Sequence, residues 1–543
     1  MKILNVVIIC SSLLFAITQN TFSDSWNKFR GDPKNTGWCF VNGPETPEVK
    51  WVYEWTYYLH PGNPFDLNSS PVIGPDGTIY YAAEVLYAFD KGGNVKWTFD
   101  PEPGKDTDTI PTTPLISAKN EIFFGTWNGY FYKLKVVDDQ PQFMWNYYTG
   151  NRGIESSPTL SRDGTFIYFG SNNKYLFALR SSNGELLWKA DLRDMIVSSP
   201  CIDENDNIYI GSWNGYIYSI SRFGDILWYV DTGDTISSSS SLNNLLLMID
   251  DDSGFVDDIS KSLERQYLYT GSWSNYLYGI DTASEEIAFT AYFTNTIRSC
   301  SGIGLNGMVY TPSFNYYIEG HAPLGYRHFR FDTYNVIYSS PAIDFEDNIY
   351  FGGKDGFFYS IDGKGNLRWT FDSVDLNPGY NVYADFYSGI VSSPAVDDEG
   401  TIYFASYEAV AQNQFRMKFF ALGPGSLPEE PRVALSIDAG IDELRTFVAF
   451  ANPGKERKLD LIIAYENPQG QLSFFPGYSK QPVPITITMP SRYRSPNIEF
   501  FKHSTENSVD GDEFRFYAAF TEPGTYDLVG SIVTESFIFQ VAE

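Results

Sequence analysis

Residues 154–188, IESSPTLSRDGTFIYFGSNNKYLFALRSSNGELLW, hold four short β-type runs parted by tight turns, and the unit recurs along the chain. Ser156-Ser157-Pro158 opens an apolar run and Asp163-Gly164 supplies a turn. Ile167 to Gly170 and Tyr175 to Leu179 read as strands, and Gly184 turns into a last strand ending at Trp188. Short β-rich runs between Gly, Asn and Asp at this spacing predict an antiparallel meander. Aligned on the Pro of Ser-Ser-Pro, the anchors fall at Pro71, Pro114, Pro158, Pro200, Ser240, Ser301, Pro341 and Pro394, in steps of 40 to 61 residues. The fifth and sixth units have lost the Pro, and the longer steps mark insertions near 243–264 and 373–387. A lone four-stranded sheet buries too little to stand, so copies must stack. Radial closure makes them a β-propeller. The expected fold is all-β: eight blades of four antiparallel strands.

The pattern Ser-Ser-Pro, then Asp76-Gly77-Thr78-Ile79-Tyr80, then Ala88-x-Asp90-x-x-Gly93-x-x-x-Trp97 resembles the pyrroloquinoline-quinone-type propeller repeat. The closing Trp recurs at Trp145, Trp188, Trp228 and Trp369, with Phe289 in its place in the fifth unit. Trp26 to Gly31 and Asn35-Thr36-Gly37 resemble the entry segment of such proteins. The resemblance spans about residues 26–423. It implies the fold, and it leaves activity open, since the family holds both quinone-dependent dehydrogenases and propellers without cofactor. The last unit ends at Leu422 without a Trp strand, whereas Val49 to Tyr57 precedes the first anchor and carries Trp51 and Trp55. One of these is expected to complete the last blade, removing the edges an open sheet exposes.

Residues 1–22, with Lys2 before an apolar run from Ile3 to Ile17, read as a secretory signal. The run is too short to span a bilayer and no second candidate follows, so no transmembrane segment is expected in the mature chain. The implied location is exported: periplasmic, cell-surface or extracellular. A net charge of −29 excludes nucleic acid as a partner and disfavours anionic membranes. Beyond the signal three Cys remain (Cys39, Cys201, Cys300), in no zinc spacing. Cys201 and Cys300 read as small buried residues.

From Pro424 to Pro431 the chain forms a stiff linker, PGSLPEEP, between residues 23–423 and 432–543. The repeat is lost beyond it. Leu459 to Tyr465 and Phe514 to Phe520 alternate as strands, predicting a C-terminal β-sandwich of immunoglobulin-like type.

Two sets of residues are candidate sites. Meander geometry places the first residue of each turn after a second strand on one face: Trp127, Trp213, Trp273, Phe314 and Tyr407, beside Glu84, Asn172 and Lys354. Such a rim of aromatics either anchors a protein or glycan partner or packs against the neighbouring blade. The acidic run with Asp250, Asp252 and Asp257 offers calcium ligands, although Gly254 falls at the wrong position for an EF-hand loop. A quinone enzyme of this family would add a metal and a catalytic Asp in the channel, often with a vicinal Cys pair. The inner strands here carry mainly Ser, Thr and Pro, with Glu155 and Arg298, and no Cys-Cys occurs. The function expected is therefore a non-catalytic binding or scaffold protein with no cofactor. The alternative is an alcohol or sugar dehydrogenase using pyrroloquinoline quinone with calcium.

Overall fold

The computed structural model describes residues 26–58, 69–102, 109–150, 152–248, 262–374, 388–411 and, with short breaks, 414–538. The described elements are all β-strands. Six sheets of the repeat region are antiparallel and follow chain order, as in Val72–Ile73, Ile79–Ala82, Leu86–Phe89 and Val95–Phe99. The same order holds in the sheets that start after Pro114, Pro158, Pro200, Ser301 and Pro341. The Ser240 sheet, Ser241–Met248 to Glu286–Tyr292, is lengthened at its first two strands. In the Pro394 sheet, Ile402–Ala411 and Gln414–Leu422 are followed by Val49–Tyr58 from the other end of the repeat region. Trp51 stands opposite Ala421.

Recurrent residues fix how sheets stack. Gly125, Gly170, Gly211, Gly271 and Gly352 end second strands, and a Cβ on any of them would lie 2.1–2.4 Å from the Ile that enters the next sheet. Only glycine permits that approach. On the outer side, Trp51, Trp145 and Trp188 cover the positive-φ turn glycines Gly93, Gly184 and Gly224 of the following sheets. Phe289 covers Gly325 and Phe329 covers Gly365 in the same way. Of the two candidate closing tryptophans, Trp51 takes this role, while Trp55 packs on Tyr81 and Tyr87.

A circuit of hydroxyls ties the inner strands together. The N–H groups of Ser70, Thr113, Ser157 and Ser199 donate in turn to the hydroxyls of Thr113, Ser157, Ser199 and Ser239, at 2.8–3.0 Å. Cys300, Ser340 and Ser393 continue to Ser340, Ser393 and back to Ser70 at 2.9–3.0 Å. The second Ser of Ser-Ser-Pro is thus the rung between neighbouring sheets. Where the rung from Ser239 should land, Cys300 replaces the hydroxyl. Cys300→Ser is expected to supply that acceptor and stabilise the fold by about 1 kcal/mol, read as a raised midpoint in urea at unchanged slope. A lowered midpoint would show that the thiol is the better fit. All three described Cys are free, with Cys201 and Cys300 buried.

The segment from Trp26 to Gly37 runs beneath the circuit. Its carbonyls at Trp26, Asn27, Pro33, Lys34, Thr36 and Gly37 accept N–H bonds of 2.7–2.9 Å from Ile73, Ile116, Ile202, Leu242, Ile303 and Ile343. The Arg30 side chain is buried and donates to the carbonyls of Pro341, Thr36 and Ser301. Lys28 donates to Asn35 Oδ1 at 2.7 Å, and burial lowers its pKa to about 8. One end of the channel is closed by these residues.

Beyond the linker, Arg432–Ala439, Glu443–Asn452 and Asn497–Ser504 form one sheet, and Arg457–Glu466, Glu513–Thr521 and Leu528–Ile538 belong to a second. Val433, Leu435, Val448 and Phe450 share a core with Leu461, Ile463, Phe516 and Phe520. Asn497–Ser504 also pairs in parallel with Ser241–Met248, Leu245 opposite Asn497. Asn497 donates to the Leu305 carbonyl at 3.0 Å, and His328 Nε2–H donates to the Ile437 carbonyl at 2.6 Å. Arg432 lies 3.1 Å from Asp347, and Ala434, Ala449 and Ala451 join the apolar cluster of Phe345 and Ile318. The C-terminal sheets are therefore docked on the Ser240, Ser301 and Pro341 sheets.

Candidate functional site

The open end of the channel is built by two short elements that recur in most of the described sheets. The first is the residue after the entering Ile, giving Pro111, Glu155, Val197, Ser237, Arg298, Tyr338 and Val391. The second is the turn after the second strand. Its first N–H donates back to a carbonyl ahead of that Ile: Trp127 to Thr109, Asn172 to Gly153, Trp213 to Met195, Trp273 to Thr235, Phe314 to Thr296 and Lys354 to Val336, at 2.9–3.1 Å. Backbone bonding thus sets the rim, and side chains are free to differ. These elements, the hydroxyl circuit and Phe29 from the floor enclose a cavity of about 240 Å³.

Around one half of the rim the side chains touch in sequence. The Trp213 and Trp273 rings lie 5.8 Å apart, and Trp273 Nε1–H donates to Ser237 Oγ at 2.9 Å. The Arg298 guanidinium sits 4.3 Å from the Trp273 ring centre and 4.6 Å from that of Phe314. Phe314 meets Tyr338 edge-on at 4.4 Å, and the Lys354 ammonium stands 5.8 Å from Tyr338 and 4.8 Å from Tyr407. Lys354 also donates to the Tyr407 hydroxyl, and burial lowers its pKa to about 8. Each cation lies over aromatic faces, an attractive arrangement when desolvated.

The other half is acidic. Glu155 accepts a bond from Asn172 Nδ2 at 2.6 Å, and burial raises its pKa against that bond. Glu84 accepts from the Tyr87 hydroxyl at 2.6 Å and from Trp55 Nε1 at 3.4 Å, and burial raises its pKa too.

The rim candidates separate by position. Trp213, Trp273 and Phe314 are brought together through Arg298. Trp127 does not join them; its ring lies against Gly153, so it packs on the neighbouring sheet. Tyr407 is not a turn residue: Ile402–Ala411 runs on as a strand, Gly389 pairs with Tyr407, and the ring is buried at 2% exposure. Asp250, Asp252 and Asp257 lie outside the described residues. Sequence reasoning noted Arg298 only as an inner-strand residue and passed over Tyr338. Aligning the residue after each recurrent Ile would have found both.

The lining residues fit a calcium–quinone pair poorly. Calcium takes roughly six to eight oxygens, whereas Glu155 is the sole acid among the described lining residues and is engaged by Asn172. Among the described residues no three His, Cys, Asp or Glu side chains converge to hold a metal.

Comparison with known proteins places the repeat region. The family model of the outer membrane protein assembly factor BamB matches residues 82–284. Protein GAMETE EXPRESSED 3 of Arabidopsis thaliana is 26% identical over 156 residues, which is 26% of this chain and 24% of that protein. BamB of Legionella pneumophila (strain Paris) is 27% identical over 157 residues, 28% of this chain and 38% of that one. The chain thus spans well under half the length of these curated relatives. Among solved structures, a europium-containing methanol dehydrogenase aligns with a TM-score of 0.57 at 12% identity, covering 76% of this chain and 100% of that one. Quinohemoprotein alcohol dehydrogenase from Comamonas testosteroni aligns at 0.56 and 13% identity, covering 80% and 87%. At such identities the likeness is one of fold, a β-propeller. No helix among the described residues is long and apolar enough to cross a membrane.

Proposed function

We propose, for a chain that belongs to the pyrroloquinoline-quinone-type repeat family, an exported, non-catalytic scaffold: an eight-bladed propeller with an immunoglobulin-like C-terminal sandwich, whose channel mouth binds a protein partner. The observation that carries this reading is the contact series from Trp213 through Trp273, Arg298, Phe314 and Tyr338 to Lys354 around half of that mouth. Aromatics and Arg are the residue types that anchor interfaces, because they supply much contact area at little conformational cost. The hydroxyl circuit and the strand pairing of Val49–Tyr58 with Gln414–Leu422 hold that rim rigid, so little ordering entropy is lost on binding. The docked sandwich widens the scaffold at its other end. Export follows from the apolar run Ile3 to Ile17.

A photo-crosslinking amino acid placed at Trp213 or Phe314, in cells that make the protein, is expected to capture a partner. The same group at Tyr229, 55% exposed on an outer strand, is expected to capture far less. Capture from Tyr229 with none from the mouth would remove the reading. In this proposal the ring performs no quinone chemistry. Reconstitution with pyrroloquinoline quinone and calcium is then expected to leave no retained visible absorbance after gel filtration, and a retained chromophore with dye reduction by alcohols or sugars would favour a dehydrogenase.

A further inference from the structure

Most polar groups lining the channel have a hydrogen to donate. In the circuit, the hydroxyl oxygens of Thr113, Ser157, Ser199, Ser239, Ser340 and Ser393 are each occupied as acceptors of a neighbour's N–H, which leaves their O–H groups to give. All six line the cavity. Above them Arg298 has no acidic partner among the described residues, and its buried Nε–H has no acceptor. The buried Trp213 Nε1–H, which also lines the cavity, has none either. An unanswered buried donor is costly, and the two residues that carry them line one cavity. The flanking Trp273 and Phe314 rings fix the plane of the guanidinium, the geometry that makes Arg a two-pronged carboxylate binder.

The chain carries a net charge of −29, so long-range attraction does not bring an anion here; only these local donors can hold one. A cavity of about 240 Å³ is roomier than a bare inorganic oxyanion needs. A neutral sugar could stack on Trp213 or Tyr338 but would leave the Arg298 charge unanswered, since its hydroxyls carry no charge. A chain end that presents two carboxylate oxygens and an apolar side chain suits the rest: Arg298 and the hydroxyls for the oxygens, and the Trp213 and Tyr338 side chains for the apolar group. On the far wall, Glu155 supplies an acceptor for an incoming N–H. We propose that the mouth holds the free C-terminal carboxylate of a peptide, with Arg298 as the residue that selects it. This rests on the scaffold reading above and names the part of the partner that enters the ring.

The test follows Trp fluorescence and heat on titrating the full chain with N-acetyl-phenylalanine, N-acetyl-phenylalaninamide and digalacturonate. The free acid is expected to bind about 10- to 100-fold more tightly than the amide, since one charged hydrogen-bonding partner is removed. Arg298→Gln is expected to erase that preference and Arg298→Lys to restore part of it, with thermal unfolding confirming that each variant folds. Equal binding of acid and amide, or no binding of either, overturns the inference. Binding of digalacturonate alone overturns it in favour of an acidic glycan. If crosslinks from Trp213 and Phe314 persist while the acid fails, only this inference falls. If both fail, the scaffold reading falls with it.

Discussion

Trp51→Asp is expected to lower the unfolding free energy by about 3 kcal/mol and to broaden the unfolding transition of the repeat region. The Trp51 ring lies 6.0 Å from Phe89, 5.9 Å from Tyr403 and 5.6 Å from Phe419, so it bridges the first and last sheets of the ring. Its Nε1–H donates to the Lys91 carbonyl at 3.0 Å. A carboxylate there loses that packing and is desolvated beside the aromatics. The larger consequence is topological. Val49–Tyr58 pairs with Gln414–Leu422 from Val49 opposite Leu422 to Tyr58 opposite Gln414, and freeing it exposes Gln414–Leu422 as an edge that invites association with other chains. Val52→Asp is the control, because Val52 is on the same strand and 43% exposed. Chemical unfolding followed by Trp fluorescence, with light scattering through the transition, separates the two. Equal behaviour of both variants would mean that this strand does not close the ring.

That register was legible because it obeys a period. An aromatic of the fourth strand lands on a turn glycine of the next sheet at Trp51, Trp145, Trp188, Phe289 and Phe329, and a chain that lacks its last Trp strand yet carries one at the start announces the exchange. Ser-Ser-Pro was legible as an inner strand for the same reason, though not as a hydroxyl circuit. Nothing in a single repeat says that Ser157 accepts from Thr113 of the previous sheet. The segment Trp26 to Gly37 carries no period at all; its bonds run from its own carbonyls to six separate strands, so sequence marks it only by resemblance. Arg298 was obscured by degeneracy. It sits in Ile297-Arg298-Ser299-Cys300-Ser301, where loss of the Pro makes the unit look worn, and the worn unit places the cation at the mouth. Tyr407 shows the opposite failure: the aligned position was right, but the strand runs through where the other units turn. The docking of the C-terminal sheets was not readable, since it depends on Asn497 and Leu245 finding each other across the chain.

Acidification from pH 7 to 4.5 is expected to cost the native chain about 3 kcal/mol at His321 alone. His321 is 2% exposed, its ring is 5.7 Å from Phe293, and its Nδ1 has no partner. Its Nε2 stands 3.5 Å from Glu319 Oε2, which resembles an ion pair. It is not one at neutral pH, because burial, with Arg327 and His328 adding repulsion, lowers the His321 pKa to about 3. Glu319 is itself buried, its pKa is raised by burial, and it accepts a bond from Arg327 at 2.9 Å. A histidine with a depressed folded pKa is neutral in the native state while the unfolded chain takes up a proton below about 6.5. Its contribution is therefore intact above that pH and is lost as pH falls toward 3. Asp344 works the other way. Burial raises its pKa to about 6, so the native state takes up a proton first and gains stability between about pH 6 and 4. The two oppose, and the native profile alone does not separate them. His321→Leu does, because the apolar replacement suits the Phe293 contact and removes the titration. Urea unfolding of the two proteins at pH 7 and 4.5 is expected to show the variant less acid-sensitive by about 3 kcal/mol. A difference that does not change with pH would mean that His321 takes up its proton equally well folded and unfolded, and a variant more acid-sensitive than the native chain would make the Glu319 contact a true ion pair.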